Sequence, residues 1–579
     1  MLLRSNNVVE DPMKRLAKII AVTLLALVFV VPSVWADKDW KDGRDWKDDK
    51  AWKDDIEVEN LIVMVPDGCT QSIQTLARWV KGSALNIDGL NSGSVKTYMA
   101  NSVITGSAAA ATAFATGHKT SVRFLGVGPS EIAPDGDYLG FLTGFKPTAK
   151  PFEPLESLLE AAERAGMATG LISTSRITHA TPAAYACHID DRGKDNEIME
   201  HMVYNDIDVV FGGGARHLIP EDELYATSFG DSWGGRRTDG ENLIDVLLDR
   251  GYTFVDSAEG MDNLEYGPAW GMFDDSHMDP ELDRDDLHPS QPSLADMTEK
   301  AIQLLSEDED GFFLMVEASQ VDWAGHANDA AYMVGDFLAF DEAVGKAIAF
   351  AEKDGKTLVL IFPDHNTGAL SIGHEQSEYP PGYTGTSLED LIDPIKDASM
   401  TIQGLLNEIP IPANISIVRD TFAEYLGDYW AQNMEVKHAE YVADTLNDKG
   451  AYDGYYPIAE YLSRELTTYG WTTHGHTGED VPLWSLGPDG PVVGTIDNTE
   501  LATIGAEALG LRLRGSKPWK AYDDNVLDLT DSANPVAKIG DWYYPVSKDY
   551  KVHKKGRVKY LTGITVHAPA INTVFIPKR

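Results

Sequence analysis

The sequence predicts an α/β fold with a doubly wound, largely parallel central sheet and helices on both faces. Three observations predict it. Apolar runs of buried-strand length recur at LIVMV (61–65), ATGLIST (168–174), GFFLMV (311–316) and TLVLIF (357–362), and near-continuous apolar strands mark a sheet covered on both sides. Helical patterns, LESLLEAAERAG (155–166) and LADMTEKAIQLLSE (294–307), stand between them, as βαβ units require. Each run leads into polar residues able to do chemistry, and such sheets bind ligands beyond the carboxyl ends of their strands.

Taken in chain order, Lys14, Arg15 and Lys18 precede the apolar run IIAVTLLALVFVV (19–31), and VPSVWA follows, ending at Ala36. The run falls short of the roughly 20 residues that span a bilayer. Charged head, short apolar core and small-residue exit predict a secretory leader over 1–36. The expectation is export to a secreted, periplasmic or cell-surface location, with no transmembrane helix in the mature chain. Next, DKDWKDGRDWKDDKAWKDD spaces Trp40, Trp46 and Trp52 among charges and predicts a solvated spacer over 37–56. Asp and Glu outnumber Lys and Arg by 91 to 48, a formal charge of -43, which argues against nucleic acid as a partner. The two cysteines, Cys69 and Cys187, could pair in an exported chain, but no disulfide framework holds it together.

LIVMV leads into Pro66, Asp67 and Gly68. In ITGSAAAATAFATG (104–117), Ser107 heads an alanine-rich run that stops at Gly117. Alanine favours helix and serine favours the N-cap, so Ser107 is expected where free amides and the positive helix end converge, an anion site. ATGLIST leads to His179 and Thr181, GFFLMV to Glu317 and Asp322, and TLVLIF to Asp364 and His365. DWAGH sets Asp322 and His326 four apart, on one helical face, and WTTHGHTG supplies His474 and His476. Gathering Asp67, Glu317, Asp322 and Asp364 on one rim is costly unless cations join them. Imidazole with carboxylate suits zinc, whereas an oxygen set such as Asp67, Thr181 and Glu317 suits magnesium. FGGGAR (211–216) reads as a tight exit turn. Residues 376–470 read as an insertion near the mouth of the site. The stretch 516–579, with WYYPV, VKYLTGITVHA and NTVFIP, reads as a β-rich extension to a 57–515 catalytic domain.

The motifs VPDG, GSAAAATAFATGHKT, SRITHATPAAYACHIDDR, FFLMVEASQVDWAGHANDA, FPDHNTG and TTHGHTGEDVP follow one another in this order. Through them the chain resembles the alkaline phosphatase family over 60–515. The resemblance implies metal-dependent hydrolysis of small-molecule phosphate monoesters through a phosphoserine, with two zinc ions and one magnesium. It implies Asp322, His326 and His476 on the first zinc, Asp67, Asp364 and His365 on the second, and Asp67, Thr181 and Glu317 on magnesium. Ser107 is then the nucleophile and Arg192 the phosphate clamp, while His474 is a neighbour of the ligands. A homodimer is expected, with a monomer as the alternative.

Three positions depart from the usual pattern. Gly106 stands where the family has Asp, which would leave Arg192 less firmly oriented. Cys69 stands where the family tends to have Met. His179 and Trp323, expected at the substrate, replace the Asp and Lys of some members. Arg192 and the motif order favour a monoesterase over a phosphodiesterase or sulfatase. A noncatalytic surface protein that sequesters metal or phosphate would also show the acidic charge, the Trp-containing spacer and the missing Asp.

Overall fold

The computed structural model describes residues 58–130, 149–373 and 387–578. The expected leader and spacer lie outside these residues. No helix among the described residues is long and apolar enough to cross a membrane.

The centre is a sheet of ten strands: β1 (Asn60–Pro66), β2 (Asn91–Lys96), β3 (Ala168–Arg176), β4 (Val209–Gly213), β5 (Thr253–Val255), β6 (Ala269–Met272), β7 (Phe312–Ala318), β8 (Thr357–Ile361), β9 (Val481–Leu486) and β10 (Gly494–Asp497). They lie in the order β10-β2-β9-β8-β1-β7-β3-β4-β6-β5. Only β9 runs against the rest: it is antiparallel to both β8 and β2, and the other pairings are parallel. The expected fold class is thus borne out.

The central strands are apolar throughout because successive side chains enter different cores. From β1, Leu61, Val63 and Val65 join one buried cluster and Ile62 and Met64 the other. Phe313 and Met315 of β7 divide from Phe312, Leu314 and Val316 in the same way. The flanking helices include α1 (Gln71–Lys81), α2 (Ser107–Thr116), α3 (Leu158–Ala165), α4 (Ala180–Ala186), α5 (Asp195–Val203), α6 (Leu294–Leu305), α7 (Gln320–Ala327) and α8 (Ala330–Asp354), with Leu243–Asp249 and, last along the chain, Asn498–Ala508 also against the first core. α2, α3, α4 and α5 cover the first face, and α1, α6, α7 and α8 cover the second. Local signals set their ends. Ser157 and Glu160 close a capping box at the start of α3, and Gly166 ends it at φ 83°.

The cysteines do not pair. Both are free and buried, Cys69 in the cluster on one face of the sheet and Cys187 in the cluster on the other. The sheet itself separates them. FGGGAR is an exit turn, with Gly214 at φ 106° after β4.

The described part of the expected insertion is helical. It includes α9 (Ile402–Glu408), α10 (Ile415–Leu426) and α11 (Val436–Leu466), the last broken at Gly450, whose φ is 75°. Leu405, Val418, Phe422, Trp430, Leu446 and Leu462 form a third core there. Its ends are clasped where Ser371–Ile372 pairs with Tyr469–Gly470.

Beyond the last sheet helix the chain is antiparallel β. Trp519–Asp523, Thr573–Pro577 and Val566–Ala568 form one small sheet, and five short strands between Leu527 and Tyr560 form a second. The first sheet is packed into the main core through Trp519, Ile564, Val566 and Phe575. The second is tied by ion pairs: buried Lys548 lies 2.6 Å from Glu241 and 3.5 Å from Glu200, and Asp549 lies 3.1 Å from Arg250. Trp519, 6% exposed, also donates its indole N–H to the Ile564 carbonyl at 3.1 Å. Trp519→Ala should therefore lower the unfolding free energy of the whole protein by about 3–5 kcal/mol. A denaturant midpoint for the central sheet that does not move would show the extension to be an independent module.

Candidate active site and metal centre

β1, β3, β7 and β8 run parallel, so the residues after them emerge at one rim. Asp67 follows β1, and the chain turns at once through Gly68 at φ 71°. A Cβ there would stand 2.7 Å from Thr367 Oγ1 and 2.9 Å from Asp322 Cα, so the close approach requires glycine. Asp364 and His365 follow β8. β7 itself carries Glu317, in register with Ser173 of β3, and runs on into α7, where Asp322 and His326 lie one turn apart. β3 leads to His179, the N-cap of α4, and to Thr181 within that helix. His476 arrives from the other direction. It precedes β9, and an antiparallel strand begins at the rim where its parallel neighbour ends.

Ser107 is displaced by one position from its expected place. Gly106 is the N-cap of α2, and Ser107 is the first helical residue, with no side-chain cap. Its hydroxyl turns toward the rim instead, 3.4 Å from His365 Nε2. An N-cap side chain would have folded back onto the amides of its own helix.

The acidic and imidazole groups converge in three overlapping sets. His326 Nε2 lies 3.3 Å from Asp322 Oδ2, His476 Nε2 lies 3.6 Å from Asp322 Oδ1, and the two imidazole nitrogens face each other at 3.2 Å. His365 Nε2 lies 3.7 Å from Asp67 Oδ1 and 3.1 Å from Asp364 Oδ2, and its ring stacks on His476 at 3.6 Å between centroids. Asp67, His179 and Glu317 bring one ligand atom each to within 4.8 Å of one another.

These atoms are aimed at shared points rather than at each other. Among the described residues no hydrogen bond reaches either oxygen of Asp67, Oε1 of Glu317, Oδ2 of Asp364 or Nδ1 of His179, all buried. Burial first, then the charges of Asp364, Asp322 and Glu317, hold the Asp67 carboxyl well above the usual range. Burial also raises Glu317, against the hydroxyls of Ser173, Ser319 and Thr181, and depresses His365 to about 4. Burial would raise Asp322 too, but its hydrogen bond and ion pair with His326, together with His365 and His476, hold it below the carboxylate range. The same pairing overrides burial at His326 and lifts it to about 9. Unpaired buried carboxylates cost several kcal/mol each, so this donor set fits bound cations.

The family described as Alkaline phosphatase matches residues 58–511. Alkaline phosphatase 3 of Bacillus subtilis is 33% identical over 476 residues, covering 79% of this chain and 90% of its own length. The chain belongs to the alkaline phosphatase family. The alkaline phosphatase of Escherichia coli is 30% identical over 363 residues, 53% of this chain and 70% of that protein. The crystal structure of Thermus thermophilus alkaline phosphatase superposes with a TM-score of 0.65 at 27% identity, covering 79% of this chain and 92% of that one. The chain is an alkaline phosphatase enzyme, and the activity that goes with the family is hydrolysis of phosphate monoesters.

In this alkaline phosphatase Arg192 is held without a carboxylate at position 106. Its Nη2 lies 2.6 Å from His179 Nε2, and burial, followed by the charges of Arg192, His277 and Arg176, keeps His179 neutral and able to accept. The looseness expected at Arg192 is therefore reduced by a different partner. His179 and Trp323 meet edge to face at 5.7 Å, and His277 packs on Trp323 at 4.4 Å while contacting Arg176 at 2.6 Å.

Sequence reasoning missed three supports. His277 lies in an irregular loop with no motif around it. Thr367 donates to Asp322 at 2.5 Å; it was in view within FPDHNTG, but its partner is far away in sequence. Ser173, which donates to Glu317 at 2.6 Å and lies 2.9 Å from Ser319 Oγ, was in view within ATGLIST, but only the strand pairing turns it toward Glu317. His474 exchanges bonds with His326: each ring Nδ1 reaches the other's backbone carbonyl.

The pH dependence of the metal-free protein follows from His326. Its folded value of about 9 exceeds the ordinary value of about 6.5, so its pairing with Asp322 stabilises fully below the lower value and is lost as pH rises through the upper one. A cation taking the same nitrogen competes with that proton and binds more tightly as pH rises over the same window. The Tm difference between zinc-loaded and chelated protein should widen from pH 6.5 to pH 9. A constant or narrowing difference in thermal scans would contradict the site.

Proposed function

We propose that the enzyme transfers the phosphoryl group of small-molecule monoesters first to Ser107 and then to water. The observation that carries this reading is the buried Ser107 hydroxyl at a helix N-terminus, 3.4 Å from His365, beside buried carboxylate oxygens of Asp67, Glu317 and Asp364 that lack hydrogen bonds. Asp322, His326 and His476 would hold one zinc, Asp67, Asp364 and His365 a second, and Asp67, Thr181 and Glu317 a magnesium. When bound, these ions would supply positive charge to the attacking, leaving and bridging oxygens of an in-line displacement.

The chain's own groups do the rest. Ser107 Oγ forms the bond to phosphorus as the ester oxygen leaves with a proton as alcohol. Arg192 grips two phosphoryl oxygens as a bidentate donor, and the first amides of α2, unpaired within the helix, face the same anion. His179 holds Arg192, and Trp323 with His179 borders the substrate. Water then displaces the serine oxygen from phosphorus, Ser107 recovers a proton, and inorganic phosphate departs. Export behind the 1–36 leader, the spacer to 56, the division at 515 and a homodimeric assembly complete the reading, on the sequence and the family resemblance.

Ser107→Ala should abolish acid-stable phosphate on the enzyme and lower kcat by about a thousandfold or more, while metal content by elemental analysis stays unchanged. Near-wild-type activity would refute the nucleophile. Gly106→Asp should fold, since φ at Gly106 is -128° and a Cβ would meet His476 no closer than 3.9 Å. A carboxylate there should hold Arg192 more firmly, tightening phosphate inhibition several-fold and lowering KM, an effect of about 1 kcal/mol. An unchanged or weaker inhibition constant in the folded, metal-loaded variant would contradict that role for position 106.

A further inference from the structure

A cavity of about 350 Å³ opens at the start of α5. Its lining begins at Gly193, the residue after Arg192, and takes in Lys194, Asp195, Glu197, Arg216, His217 and Arg236. In a protein of net charge -43, three cationic side chains meeting at one cavity are unusual. Lys194 is paired with Asp190 at 2.7 Å. Among the described residues no carboxylate lies within ion-pair distance of the Arg216 or Arg236 guanidinium. Of the two acids, Asp195 is engaged elsewhere. It accepts from Arg176 at 3.2 Å and Thr178 at 2.5 Å and lies 3.8 Å from His217. Glu197 is exposed in the first turn of α5.

The walls are built rather than incidental. The Arg236 amide donates to the Arg216 carbonyl at 2.8 Å, and Asn196 Nδ2 donates to the Arg236 carbonyl at 2.9 Å. Arg237, 1% exposed, locks the same segments by donating to the Asn196 and His217 carbonyls at 3.0 and 3.3 Å. His217 Nδ1 meets Asn196 Oδ1 at 2.8 Å. The first turn of α5 contributes Asp195, Asn196 and Glu197 to the lining, and amides in a helix's first turn have no partner within the helix. Burial, and then the charge of Arg176, disfavours the Arg216 cation; Arg236 acts in the same sense, and Asp275 and Asp195 oppose it.

We propose that this cavity is a second anion site, next to the phosphate clamp, that takes a phosphate or carboxylate group. Its first occupant is the remote anionic group of a doubly anionic phosphomonoester, whose scissile phosphate lies at Arg192. This deepens the proposed function and rests on it. A bidentate guanidinium recognises either group, and His277, which packs on Trp323, feels the charges of both Arg216 and Arg192, so the two anion sites face a common wall. The same site would hold free inorganic phosphate when the substrate carries one charge only.

The test uses the metal-loaded wild type, Arg216→Gln/Arg236→Gln, and Arg236→Gln alone, whose side chain is exposed and whose folding is therefore safe. Propane-1,3-diol bisphosphate and p-nitrophenyl phosphate are compared as substrates, and inorganic phosphate is titrated calorimetrically. The expected result is a KM for the bisphosphate raised about tenfold in the double variant and several-fold in the single one, with p-nitrophenyl phosphate kinetics within twofold of wild type. Loss of a second calorimetric phosphate without a bisphosphate effect would assign the site to the free ion. One phosphate per chain in wild type, with both substrates affected alike or neither affected, would overturn the proposal. If neither substrate is hydrolysed by wild type, the catalytic reading fails, while the phosphate stoichiometry still decides the cavity.

Discussion

Like charge confined in a dry place governs this molecule. Asp67, Glu317, Asp322 and Asp364 come from different parts of the sheet rim, and each is almost fully buried. Asp322 has His326 and Thr367 to answer its charge, and Glu317 has serine hydroxyls, but among the described residues no hydrogen bond reaches the Asp67 carboxylate, and His365 stands off at 3.7 Å. In the absence of cations the arrangement is satisfied only by protons, which is why the Asp67 carboxyl is pushed so far up. Cations would turn the same repulsion into attachment. Ions shared among the loops after β1, β7 and β8 and before β9 would act as crosslinks across the sheet, so metal binding and tertiary stability are two aspects of one constraint.

Much of the fold could be read from the sequence because central strands have no polar face. β1, β3, β7 and β8 divide their side chains between two cores and are therefore continuous apolar runs. Strands toward the margins of the sheet lack that signature. β2 reads NSGSVK and β5 is the three residues TFV; no pattern of hydrophobicity marks either, and tertiary pairing alone makes them strands. The helical character of the insertion was equally hidden, since its apolar residues face a core of their own. The pairing open to Cys69 and Cys187 was a matter of number, and number says nothing about which face of a sheet a residue occupies.

At the site, residues that directly follow a strand were legible, because strand ends converge by topology. What supports them was not. His277, Thr367 and Ser173 act through partners far away in sequence, and only the register of β3 on β7 aims Ser173 at Glu317. The one-residue shift at Ser107 has a local cause: a cap is chosen by backbone geometry, and Gly106 takes the extended conformation that leaves the serine side chain free to turn toward His365.

The single reversed strand links this centre to the helical insertion. β9 is preceded by His476 at the metal-fitting cluster and by His474, which binds the backbone of His326, lies 3.2 Å from Glu460 and stacks on Tyr456. Glu460 and Tyr456 belong to α11, so the orientation of His326 is sensitive to how that helix sits.

The clasp between Ser371–Ile372 and Tyr469–Gly470 sets the limits of that sensitivity. Chain leaves and re-enters the catalytic body at two neighbouring points, so what lies between behaves as a closed loop whose length adds only logarithmically to the entropy of closing it. Lineages could therefore lengthen, shorten or exchange this segment at little energetic cost while the rim stays in place. The surface contacting His474 is held more tightly: a replacement that failed to present Tyr456 and Glu460 would leave the clasp shut, yet free the ring that bonds the His326 backbone.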